Sequence, residues 1–355
     1  MSALNTPICD LFGVQYPIVQ TGMGWVAGAR LTAATSQAGG LGILAAATMT
    51  TPQLEAQIRE VKERTDKPFG VNLRADHEDV ENRIRLLIRE QVKVASFARA
   101  PGKQGIQRLK DAGIVTMPTI GAVRHAEKVA EWGVDAVIAQ GGEGGGHTGT
   151  VPTSLLLPAV CRAIDIPVLG AGGFHDGRGL VAAIAYGAAG IAMGTRFLLT
   201  QESTVPDSVK QTYLATKVTQ TVVTKAVDGY PQRVVATALI QRLEHAGFIG
   251  KMLSAIGHAM SLREVTGNTL GGMMREGWAM KQSGRLTWPQ VAMAANAPML
   301  TRATLVDGRL DAGVLPTGQV VGRIDELPTV AELIARIVDE ANETLARLNA
   351  AGDTP

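Results

Sequence analysis

The residues best suited to chemistry stand in one run, Gln140-Gly141-Gly142-Glu143-Gly144-Gly145-Gly146-His147-Thr148-Gly149. Five glycines there precede a single imidazole. Glycine gives up conformational entropy on folding, so such a loop implies that a ligand or another backbone approaches it closely. An imidazole at its end suits acid–base work beside a bound cofactor, which makes His147 the candidate catalytic residue. The other histidines, His77, His125, His175, His245 and His258, stand in polar or helical surroundings. No cysteine or carboxylate cluster surrounds His147 at ligand spacing, so no metal is expected. There is no GxSxG elbow, and neither Cys9, ahead of the first strand, nor Cys161, in an outer helix pattern, is placed as a nucleophile. Glu143 has two open roles, orienting the loop or facing solvent.

These residues need elements to hold them. Eight short apolar runs recur, at 17–20, 42–45, 69–73, 92–97, 114–120, 136–140, 167–173 and 190–194, with amphipathic helical patterns between them. Continuous apolar runs fit parallel strands covered on both faces. The expected fold class is therefore α/β, a closed (β/α)8 TIM barrel with an additional helical domain, and a doubly wound open sheet is the alternative. Thr51 and Pro52 read as N-cap and first residue of a helix, and Gly113 and Gly133 as helix-ending glycines.

In such barrels the functional face lies at the C-terminal ends of the strands. There the sequence places Gly22, Met23 and Gly24 after run 1, Asn72 in run 3, Gln140 at the end of run 6, Gly172 and Gly173 at the end of run 7, and Gly194 at the end of run 8 with Thr195 next to it. Loops after strands 7 and 8 commonly bind phosphate through backbone N–H groups, so a phosphate-bearing ligand is expected against Gly172-Gly173 and Gly194-Thr195. No GxxxxGK[ST] loop is present, so the ligand is not held in the P-loop manner.

The rest of the composition bounds the function. The chain has 355 residues, 46% hydrophobic and 19% charged, with a formal net charge of +2. That is an ordinary globular balance without the basic footprint of a nucleic-acid binder. Two cysteines make no disulfide scaffold and suit a reducing cytoplasm. No signal peptide is read at the N-terminus, and the Gly- and Ala-rich stretch before Arg196 reads as helix, turn and strand, so no membrane association is expected. The expected domains are a barrel core over 1–237, a helical insertion or lid over 238–300, and a return segment with a C-terminal helix over 301–355. The methionines of the insertion suit adaptable core packing or a substrate wall. A homo-oligomer is left open.

Five motifs in order, PIVQTGMG (17–24), FGVN (69–72), QGGEGGGHTG (140–149), PVLGAGGFHDG (167–177) and IAMGTRF (191–197), resemble the FMN-dependent nitronate monooxygenase (2-nitropropane dioxygenase-like) family. Flavin-dependent enoyl-acyl-carrier-protein reductases share the pattern. It covers residues 7–200, with a weaker match at TGQVVGRI (317–324). The resemblance implies an FMN barrel. Met23, flanked by Gly22 and Gly24, would lie against the isoalloxazine. Asn72 and Gln140 would hydrogen-bond its polar atoms, and Gly145, followed by Gly146, would pack on it. Gly172 and Gly173 with Ala192, Met193, Gly194 and Thr195 would hold the ribityl phosphate, and His147 would be the acid/base.

Within that family, QTGMGWVAGARL, MGTRFLLT with TVPDSVK, and MAANAPML look like the flavin-dependent dehydrogenases of bacterial steroid catabolism. Those act on a hydrindane-carboxyl-CoA, introduce a double bond next to the thioester and use NAD(H) as transient co-substrate. Trp25 departs from the commonest family pattern. An acyl-CoA tail would want cations at the mouth, and Arg74, Arg99, Lys103 and Arg196 are candidates by loop position. The alternatives are nitronate oxidation with O2, enoyl-thioester reduction, a non-redox phosphate-binding barrel, and a flavin-binding protein without catalysis.

Overall fold

Eight parallel strands pair in a closed ring: β1 (Ile18–Gln20), β2 (Leu41–Ala45), β3 (Phe69–Arg74), β4 (Val94–Arg99), β5 (Val115–Ile120), β6 (Val137–Gln140), β8 (Val168–Ala171) and β9 (Gly190–Met193). They correspond to the eight apolar runs. Closure is made by β9 beside β1, with Ile18 opposite Ile191 and Gln20 opposite Met193, which excludes the open sheet. This computed structural model describes residues 4–245 and 288–352.

Side chains along each strand alternate between two apolar layers, as the pleat requires. Val19, Leu41, Ile43, Met117, Ile138 and Leu169 form the barrel interior. Ile18, Leu44, Val71, Val137 and Ile191 instead belong to the layer shared with the helices. A short helix before the first strand, α1 (Pro7–Phe12), adds Ile8, Cys9 and Phe12 to the interior cluster beside the strand beginnings.

The outer helices are α2 (Ala29–Gln37), α3 (Thr51–Arg64), α4 (Val80–Arg89), α5 (Gly102–Asp111), α6 (Val123–Glu131), α7 (Thr153–Ala163) and α8 (Gly177–Ala185). The cap of α3 lies one residue earlier than expected. Thr50 accepts from the Gln53 amide at 3.4 Å and Gln53 Oε1 accepts from the Thr50 amide at 2.9 Å, so Thr51 is already helical. This reciprocal box satisfies two otherwise orphaned amides. Gly113 and Gly133 adopt φ of +75° and +81° at helix ends, as expected.

Beyond β9 lie α9 (Thr195–Leu198) and α10 (Asp207–Leu214), then a hairpin, β10 (Thr221–Thr224) and β11 (Gln232–Val235). Its second strand pairs antiparallel with β7 (Gly146–His147), the end of the glycine loop, setting Gln232 opposite His147. A small apolar cluster of Val227, Val234, Ile240 and Val314, with Leu300 against it, joins this sheet to α11 (Ala238–His245) and α12 (Trp288–Leu305). The expected insertion begins in α11 and ends within α12, and its residues 246–287 lie outside the described residues. α13 (Val330–Gly352) packs on α8, where Glu340 accepts the Gly177 amide at 2.9 Å. Among the described residues no helix is long and apolar enough to cross a membrane.

Candidate active site

Close contacts gather the expected residues at the C-terminal ends of the strands. Gly22 lies on Asn72 so tightly that a Cβ there would stand 2.4 Å from Asn72 Cβ. Met23 reaches across to the β9 loop, its sulfur 3.3 Å from where a Gly194 Cβ would be, and Gly24 meets Thr48. Asn72 Nδ2 donates to Ser96 Oγ at 3.2 Å. Gln140 ends β6, packs against Gly144 and donates Nε2 to the His147 carbonyl at 2.8 Å. Gly172 packs on Gly141 and Gly144, and Gly173 stands beside Glu143.

Gly172 and Gly173 both have positive φ, +93° and +85°, a conformation that side chains disfavour. The amide N–H groups of Gly172, Gly173, Gly194 and Thr195 donate to no partner among the described residues. Neighbouring unclaimed amides of this kind form an anion-binding concavity. Ala192 and Met193 are buried in the barrel wall, and the Met193 carbonyl accepts the Thr21 amide at 3.1 Å. Their side chains are core, so they reach the site only through the placement of Gly194.

Three groups hold the glycine loop. The Glu143 carboxylate accepts from Thr153 N at 2.9 Å and Thr153 Oγ1 at 2.8 Å, so it orients the loop against the first turn of α7. Arg233 donates Nε and Nη2 to the Gly142 carbonyl at 3.2 and 2.9 Å. The 317–324 run supplies the third. A Cβ on Gly145 would stand 2.6 Å from Gly318 N, while Gln319 N donates to Glu143 O and Gly318 N to Thr195 Oγ1, each at 2.9 Å. The lack of a Gly145 side chain is what lets the 317–318 backbone approach.

His147 sits at the exposed edge of this mouth. Its Nε2 lies 2.6 Å from Oδ2 of buried Asp228, whose Oδ1 accepts the Tyr230 amide at 3.0 Å. Burial alone would raise the Asp228 pKa, but the His147 hydrogen bond and charge, with the Tyr230 amide and Gln232, outweigh it and leave the carboxyl below its usual range. The Tyr230 ring stands edge-on to the imidazole at 6.1 Å. Asp228, Tyr230 and Arg233 were not singled out in the sequence. The available signal was an Asp-Gly pair between two β-branched runs, TVVT and QRVV.

The nitronate monooxygenase family model matches residues 5–84 and 79–340. The chain belongs to the nitronate monooxygenase family. It is also 59% identical over 350 residues, 99% of both chains, to a Rhodococcus jostii protein named (3aS,4S,5R,7aS)-5-hydroxy-7a-methyl-1-oxo-octahydro-1H-indene-4-carboxyl-CoA dehydrogenase. A Mycobacterium tuberculosis protein of the same name is 58% identical over 341 residues, 95% of this chain and 96% of that one. Among solved structures, FabK from Thermotoga maritima superposes with a TM-score of 0.81 at 33% identity, covering 98% of this chain and all of that one. Family and relatives together make this chain an oxidoreductase.

The candidate cations of this family member fall in different places. Arg196 is buried and donates Nη2 to the carbonyls of Leu199 (2.6 Å) and Glu326 (3.1 Å), and burial pulls its pKa down to about 10. It braces the C-terminal segment and is withdrawn as a ligand cation. Arg74 pairs with Asp76 through two 3.0 Å bonds, which hold its pKa up. Lys103 is exposed in the first turn of α5, and the Arg99 side chain lies outside what is described. Trp25 adopts φ +66°, donates Nε1 to the Pro298 carbonyl at 3.1 Å and carries Arg302 5.6 Å above its ring. It thus ties the β1 turn to α12.

Proposed function

We propose that this chain is an FMN-dependent oxidoreductase that dehydrogenates a steroid-derived hydrindane-carboxyl-CoA next to its thioester, with NAD as electron acceptor. The reading is carried by one arrangement: four unclaimed amides and a carboxylate-held imidazole share a single barrel mouth. The names of the Rhodococcus and Mycobacterium relatives support the substrate class.

The residues fit FMN. The Gly172, Gly173, Gly194 and Thr195 amides suit its phosphate, and the close packing of Gly22 on Asn72 holds the β1 turn beside the amide that would meet the flat ring. Met23, Asn72, Gln140 and Gly145 with Gly146 stand around the same mouth. Bound there, FMN supplies the acceptor for the hydride that leaves the β carbon.

The chain's own residues do the rest. His147 takes the proton from the carbon α to the thioester carbonyl. Its side chain is 65% exposed, so that proton can pass to water before the next turnover. Glu143, Arg233 and the 317–319 backbone fix the loop so that the imidazole is presented in one place. Trp25 and α12 wall the side where a bulky ring system would sit. The partners are then small molecules, an acyl-CoA and NAD, with neither nucleic acid nor membrane. Free Cys9 and Cys161 suit a cytoplasmic setting.

A visible spectrum of the purified protein, taken anaerobically before and after NADH, tests this. A yellow protein bleached by NADH is expected. A yellow protein that NADH leaves unchanged favours nitronate oxidation, and a colourless one that takes up no added FMN overturns the reading.

A further inference from the structure

We propose that Asp228 is the positioning residue that makes Nδ1, and not Nε2, the proton-transferring nitrogen of His147. The proposal rests on the reading of His147 as the acid/base.

A carboxylate only accepts hydrogen bonds, so the nitrogen 2.6 Å from Asp228 Oδ2 must carry the hydrogen. That nitrogen is Nε2. In the neutral ring the lone pair is then on Nδ1, which meets no partner among the described residues. Asp228 is itself fixed. Gly229 turns the chain at φ +84°, and the Tyr230 amide holds the second carboxylate oxygen.

The backbone of His147 is pinned independently. Its carbonyl accepts from Gln140 Nε2 at 2.8 Å, and β7 is paired with β11 at Gln232. What remains free is rotation of the side chain and choice of tautomer, and the Asp228 contact removes both. A carboxylate behind an imidazole fixes orientation and tautomer without itself being protonated. The transfer balances accordingly. The α C–H bond breaks, its proton adds to Nδ1, Nε2–H stays on the ionised Asp228, and the imidazolium returns the proton to water.

The test uses the FMN-loaded enzyme grown with 15N-histidine. Comparison with His147→Gln assigns the His147 ring signals among those of the six histidines. At a pH where the ring is neutral, Nδ1 of the wild type is expected to give the unprotonated-nitrogen signal. In Asp228→Asn that signal becomes a mixture of tautomers, and kcat falls about 100-fold or more. KM and FMN affinity stay within about threefold because neither ligand is expected to touch Asp228. In the His147→Gln background, Asp228→Asn should add no further loss.

Unprotonated Nε2 in the wild type overturns the proposal, and that spectrum needs no variant of Asp228. So does wild-type kcat in Asp228→Asn while His147→Gln is inactive. Wild-type turnover in His147→Gln instead removes the acid/base reading, and this proposal with it.

Discussion

Arg233 grips the Gly142 carbonyl with two nitrogens, Nε at 3.2 Å and Nη2 at 2.9 Å, while Nη1 reaches Thr221 Oγ1 at 3.1 Å. One side chain of β11 therefore joins the neighbouring strand β10 to the glycine loop. The loop has one long side chain of its own, Glu143, so its shape is set by contacts with the rest of the fold: Thr153 on the Glu143 carboxylate, Arg233 on the Gly142 carbonyl, and the 317–319 backbone. The small second sheet is thus scaffolding for His147.

Arg233→Ala should lower stability by about 1.5–3 kcal/mol, the range for hydrogen bonds to a charged group. It should also weaken FMN retention, because the loop order that Arg233 supplies would have to be supplied on binding. Arg233→Lys should not rescue, since an ammonium lacks the planar fork. Thermal unfolding with and without FMN, beside an FMN titration, checks both effects.

Gly145→Ala should be worse for binding than its single methyl suggests. The added Cβ meets backbone, Gly318 N and Thr317 C, at 2.6 Å, and backbone cannot rotate away. Overpacking of this kind costs about 1–3 kcal/mol. The displaced 317–319 segment would also release Glu143 O and Thr195 Oγ1. The purified variant is expected to come off a column with less than half the FMN of the wild type at equal protein concentration.

Trp25→Phe keeps a ring for Arg302 and removes only the donor to the Pro298 carbonyl. The loss of one hydrogen bond, about 1 kcal/mol, should raise KM for the bulky thioester about 3–10-fold. A short acyl-CoA that does not reach α12 should show no change in kcat/KM. Steady-state kinetics with the two thioesters separates these outcomes.

The barrel was legible because eight apolar runs leave a direct mark on the sequence, and the functional face followed from barrel geometry. Closure was not in any single run; it came from Ile18 in the first strand pairing beside Ile191 in the last. Asp228 lies 81 residues from His147, and a contact over that distance has no periodicity to betray it. Arg196 was misplaced for a related reason. Its loop position is at the mouth, but its guanidinium turns inward to Leu199 and Glu326, and burial is a property of the packed fold. Gly145 was noticed as a glycine, yet what needs the space is a segment more than 170 residues later.

Asp228 also predicts a slope of stability against pH. Its folded pKa is depressed, so its contribution is full above the ordinary aspartate pKa, about 3.9. Between that value and the lower folded pKa, the unfolded chain binds more protons, and the contribution is lost as pH falls. Denaturant midpoints of wild type and Asp228→Asn should therefore converge as the pH is lowered through this acid window. A constant difference between the two proteins across it would contradict the assignment.

The central claim is that the barrel mouth removes hydrogen from an acyl-CoA. The direct measurement is anaerobic mixing of the purified yellow protein with the hydrindane-carboxyl-CoA, following the flavin absorbance and the mass of the thioester. The account predicts bleaching and a thioester lighter by two hydrogens. An unbleached flavin and an unchanged thioester, in a protein that oxidises alkyl nitronates when O2 is admitted, would contradict it.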